Sequence, residues 1–146
     1  MTAEQAEKGS GARVRVVVVD DSAEARAAIE AAVAHVNEFE LVAAVGSGEE
    51  ALAVVPRVDP ELVLLDFRMD GLNGLETSRL LRADGARALV VLVSALDRGE
   101  LPDYVDSCGV TAILHKSEVS PRRLRTLWRN LQSDRDLGSG QSSGQD

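Results

Sequence analysis

The chain has 146 residues, a net charge of -8 and a composition that is 45% apolar but only 3% aromatic. That length suits one domain with a self-sufficient core, which must be built from Val, Leu, Ile and Ala. The acidity argues against nucleic-acid binding by this domain itself. A lone cysteine, Cys108, excludes an intrachain disulfide and fits a reducing compartment. No apolar stretch reaches membrane-spanning length and residues 1–13 hold no apolar signal segment, so the reading is a soluble, cytoplasmic protein without a membrane partner.

In chain order, residues 1–12 read as a flexible polar tail, residues 13–133 as the domain, and 134–146 as a second flexible tail or the start of a linker. Within the domain, five aliphatic runs predict strands: Val14–Val19, Leu41–Val45, Leu62–Leu65, Leu89–Val93 and Thr111–Leu114. Three of them are continuously apolar, which suits strands covered on both faces, as in parallel sheets. Helix-start chemistry fills the intervals. Ser22 precedes a helix carrying Ile29, Val33 and Val36 on one face, and Ser47 with Glu50 and Asn73 with Glu76 have capping-box spacing. Asp97 predicts the start of a fourth helix. Ser120-Pro121 starts a fifth, with Leu124, Leu127, Trp128 and Leu131 on one stripe. Strictly alternating strands and helices predict a (βα)5 parallel sheet with right-handed crossovers and helices on both faces. The arrangement expected for it is flavodoxin-like and doubly wound, with strand order 2-1-3-4-5.

In such sheets ligands bind beyond the carboxyl ends of the strands, where the strand order reverses. Asp20-Asp21 end the first strand and Asp66 the third, so these acids meet there; Ser94 and Lys116 end the fourth and fifth on the same edge. Three crowded carboxylates repel one another, and a hard divalent cation, Mg²⁺ by its ligand preferences, relieves the repulsion. It would also offset charge on an incoming phosphoryl group, letting the anionic Asp66 attack phosphorus. Lys116 supplies a point charge for phosphoryl oxygens and Ser94 a hydroxyl.

Acid pair, acceptor acid, hydroxyl and lysine, in that order at strand ends, resemble the receiver domain of bacterial two-component response regulators, over roughly residues 13–133. The resemblance implies that Asp66 is the phosphoacceptor and that Asp21 and the Arg68 carbonyl join it in binding Mg²⁺, Asp20 acting through water. It implies that Ser94 is the switch hydroxyl, followed by the small Ala95, and that Lys116 contacts the phosphoryl group. The implied partner is a sensor histidine kinase or phosphotransfer protein. Homodimerisation on phosphorylation and a DNA-binding output domain outside this chain are the corresponding expectations for output.

Three positions depart from the family pattern. Asp70 stands where a proline usually follows the methionine of Asp-x-x-Met-Pro, Ile113 replaces the aromatic residue before the lysine, and Ser117 follows Lys116 in place of proline. The last departure is closest to receivers that precede LuxR-type helix-turn-helix domains, and it predicts a trans Lys116–Ser117 bond. Asp70 itself reads as a solvated loop acid. A Mg²⁺-dependent aspartyl-phosphate phosphatase or phosphotransferase is the alternative reading, but haloacid-dehalogenase phosphatases typically need an acid where this chain has Arg68. Gly46-Ser47-Gly48 lacks dinucleotide-binding spacing. His35 and His115 read as surface or interfacial residues, and Cys108 as a small buried hydrophobe.

Overall fold

A computed structural model of the protein describes residues 13–145, so the expected N-terminal tail, 1–12, lies outside the described residues. Strands β1 (Val14–Val19), β2 (Phe39–Val45), β3 (Leu62–Asp66), β4 (Leu89–Ser94) and β5 (Ala112–His115) pair in parallel in the order β2-β1-β3-β4-β5. Helices α1 (Ala23–Ala34), α2 (Gly48–Val58), α3 (Gly74–Ala83) and α4 (Pro121–Gln145) connect and follow them. This is the expected flavodoxin-like arrangement.

Although β1 is unbroken valine beyond Arg15, its pleat divides the side chains by parity. Val16 and Val18 enter a core with Ile29, Val33 and Val36, and with Leu124, Trp128 and Leu131 of α4. Val17 and Val19 enter the opposite core with Ala51 and Val55 of α2 and Leu81 of α3. Both faces of the strand are therefore dry, which is why its sequence does not alternate. Phe39 meets Trp128 edge to face, with ring centroids 6.3 Å apart.

The helix starts follow the capping chemistry. Ser22, Ser47 and Asn73 each accept a hydrogen bond from the third residue inside their helix, and the Glu76 carboxylate accepts one in return from the Asn73 N–H.

Two expectations need correction. Where Asp97 predicts a fourth helix, the chain forms two 3₁₀ turns, Arg98–Glu100 and Asp103–Ser107. The Asp97 N–H does donate to Glu100 Oε1 at 2.8 Å, one half of a capping box, so a helix-start contact forms. Leu101 stops it: the proline that follows disfavours helical backbone there, and Leu101 is extended at φ -80°, ψ 156°. Pro102 also lacks the N–H that a continuing helix would use. At the other end, α4 runs on to Gln145, whereas the glycine-rich composition suggests that order stops at Ser133. Each interior glycine costs about 1 kcal/mol relative to alanine, but no proline after Pro121 interrupts the hydrogen-bond ladder.

Candidate functional site

The carboxyl ends of the strands bring the predicted acids together. Asp20 directly follows β1, and its N–H donates to the Val45 carbonyl at 3.1 Å, continuing the sheet pairing. Its side chain is fully buried, and Oδ1 accepts from the Ser22 N–H at 2.9 Å. Asp66 is the last residue of β3 and is 4% exposed. Asp21, one residue beyond Asp20, is exposed and points a carboxylate at the same spot. One oxygen from each of Asp20, Asp21 and Asp66 lies within 4.8 Å of the others.

Lys116 follows β5 and reaches back over the switch point. Its Nζ is 3.1 Å from Asp20 Oδ2 and 3.3 Å from Asp66 Oδ1. Asp20 Oδ2 has that ammonium as its ion-pair partner but no well-aligned hydrogen bond. With three oxygen donors converging, the chemistry of the set fits a hard divalent cation.

The electrostatics follow from this crowding. Burial first, and then the neighbouring Asp20 charge, raise the Asp66 pKa from its ordinary 3.8 to about 6, with Lys116 pulling the other way. Burial works against the Lys116 ammonium, but its close ion-pair contacts with Asp20 and Asp66 outweigh it and raise the lysine pKa.

Ser94 is the last residue of β4 and is buried, but its hydroxyl is turned to accept the Leu96 N–H at 2.9 Å. Arg68 is exposed in the loop between β3 and α3. That loop is pinned where it closes: the Gly74 N–H donates to the Phe67 carbonyl at 2.7 Å, and a Cβ on Gly74 would collide with the Asp66 carbonyl. Ile113 is half-buried against the cluster of Leu75, Leu92, Leu101 and Val105. His115, read as a surface residue, is partly exposed and lies 3.9 Å from Asp97 across a cleft of about 440 Å³. No cis peptide bond occurs among the described residues, so Lys116–Ser117 is trans.

Two contacts had no sequence reading. The Asp70 N–H donates to Asp21 Oδ2 at 3.1 Å, and the Leu72 N–H donates to Glu49 Oε2 at 3.3 Å. The first had a signal in the replacement of proline by a residue with an N–H; the second had none.

Residues 16–129 match the family model described as the response regulator receiver domain. The chain belongs to that family. Receiver domains are phosphoacceptor signalling modules, and this one is 35% identical over 123 residues to the nitrate/nitrite response regulator protein homolog of Haemophilus influenzae. That alignment covers 84% of this chain but 59% of the relative, which is the longer protein. Among solved structures, the receiver domain of NarL from Mycobacterium tuberculosis superposes with a TM-score of 0.75 at 25% identity, covering 82% of this chain and 97% of that one. A DNA-binding response regulator of the LuxR family from Staphylococcus aureus shares the fold, with a TM-score of 0.70 at 21% identity, covering 81% and 98%. The subfamily read from Lys116-Ser117 agrees with these matches. No described helix is long and apolar enough to cross a membrane.

Proposed function

We propose that Asp66 is the residue of this receiver that takes the phosphoryl group, from a phosphohistidine of a sensor kinase or phosphotransfer protein. The observation that carries the reading is the Lys116 ammonium lying between the two buried carboxylates, 3.1 Å from Asp20 and 3.3 Å from Asp66. It stands where a cation would meet oxygens of a phosphoryl group carried on Asp66.

With a pKa of about 6, Asp66 is ionised at neutral pH and can act as nucleophile. One of its oxygens forms the new O–P bond as the donor's N–P bond breaks. The departing imidazole keeps that electron pair and is protonated by solvent. Lys116 then exchanges carboxylate partners for phosphoryl oxygens, and Ser94 supplies a hydroxyl once it leaves the Leu96 N–H. Mg²⁺ bound by Asp21, Asp66 and the Arg68 carbonyl, with Asp20 through water, would neutralise charge on the transferred group. The convergence of one oxygen from each of Asp20, Asp21 and Asp66 supports such a cation.

Ile113 is β-branched and stiff at χ1, so it is a poor rotamer switch. The signal in this reading passes from Ser94 through the β4 end into the turns at 98–107. Their outer surface beside β5 and α4 would then dock a partner or a second copy, with a DNA-binding output domain in a longer protein and a cytoplasmic location. This domain would turn over nothing but its own phosphoryl group.

Incubation with acetyl phosphate and Mg²⁺, read by intact mass, should add one phosphate to the wild type and none to Asp66→Asn. Undiminished labelling of the variant would end the assignment.

A further inference from the structure

Asp21 differs from its two companions. Asp20 and Asp66 are buried and held by strand ends, whereas Asp21 is exposed in the loop after β1. An exposed aspartate has free rotamers, and ordering it around a cation carries an entropic cost. Its orientation here is set by the backbone of another loop. The Asp70 N–H donates to Asp21 Oδ2 at 3.1 Å, across 49 positions of sequence.

Asp70 lies two residues beyond Arg68, whose carbonyl is the proposed third protein ligand. One hydrogen bond therefore ties the loop bearing that carbonyl to the carboxylate it would share a cation with. The same loop is held from its other side by Glu49, at the start of α2, through the Leu72 N–H at 3.3 Å. A carboxylate has a second oxygen, so holding Oδ2 does not withdraw Asp21 from a cation. A donor behind a ligating carboxylate fixes its orientation, as partners of metal ligands commonly do. The bond needs an N–H at position 70, which proline lacks and aspartate has.

We propose that the Asp70 backbone N–H is a positioning group for the divalent-cation site, orienting the Asp21 carboxylate and holding the Arg68-bearing loop in register with it. The inference rests on the cation site of the proposed function. The Asp70 side chain is not part of it.

Two variants separate the backbone donor from the side chain. Asp70→Ala keeps the N–H and loses the carboxylate; Asp70→Pro loses both. Mg²⁺ affinity, measured by calorimetric titration of the full chain, is expected to be about tenfold weaker in Asp70→Pro than in Asp70→Ala, the scale on which second partners of metal ligands act. Equal affinities in the two variants would overturn the proposal. A second measurement on the wild type covers the case in which proline perturbs the loop. The Asp70 amide should exchange slowly with solvent deuterium, and faster by at least several-fold in Asp21→Ala. Unchanged exchange there would overturn the proposal as well. A wild type that binds no Mg²⁺ at all would instead remove the cation site on which the inference rests.

Discussion

In the absence of metal, the buried Asp66 carboxylate works against the fold, and Asp66→Asn should reveal by how much. Burial and the Asp20 charge raise Asp66 from 3.8 to about 6 despite the lysine 3.3 Å away. In the unfolded chain it titrates near the lower value. Below about pH 4 both states are protonated and no penalty exists; between 4 and 6 the unfolded state ionises first; above 6 the native state carries the full cost. Stability from this residue therefore falls as pH rises through that window, by on the order of 3 kcal/mol in all. Asparagine escapes the penalty but gives up the charge contact with Lys116, so the net gain at pH 7.5 should be about 1–3 kcal/mol. Whatever that baseline, the gain should be about 2 kcal/mol smaller at pH 4.5. Urea unfolding in EDTA, followed by the fluorescence of the single tryptophan, Trp128, which is 8% exposed, measures both values. An Asp66→Asn protein no more stable than wild type at pH 7.5, or a gain identical at the two pH values, would refute the argument.

Lys116→Ala removes the one group that lowers the Asp66 pKa, so the acid limb of the pH–labelling profile with acetyl phosphate should move to higher pH and the rate should drop. Gly74→Ala should cost more than 2 kcal/mol in chemical denaturation, because its methyl would meet the Asp66 carbonyl and the Phe67 backbone, neither of which can yield. Leu64→Ala, deep between the sheet and α1/α4, should lose about 2–5 kcal/mol by the same assay. Pro102→Ala should deepen the helical circular dichroism if Pro102 is what stops the segment begun at Asp97.

The five strands and four of the five predicted helix starts were legible because each rests on local chemistry, apolar runs of strand length and oxygen-bearing caps. The strand order does not, and it came with the expected fold type. The acid cluster was legible too, since parallel strands must deliver their terminal residues to one edge. The turns at 98–107 were misread because an acid at a helix start reports only on a first turn, and Leu101 yields to the ring of its successor. The Asp70–Asp21 bond was not legible for a different reason. Side chains declare themselves in a sequence, but a backbone donor is common to every residue except proline, and its target depends on how two distant loops meet.

The interruption at Leu101–Pro102 also bears on how the domain opens. A continuous helix between β4 and β5 would resist opening as a unit, because its ladder of hydrogen bonds breaks cooperatively. Two short turns, one of three residues and one of five, share no such ladder. They are anchored chiefly by Leu101, Val105 and Cys108 beneath them. Each can detach at its own free-energy cost, well below that of unfolding the sheet. The amides of 98–107 should therefore exchange more readily than those of the sheet, turn by turn, and a partner docking on this surface would act on local folding equilibria instead of tilting a rigid rod.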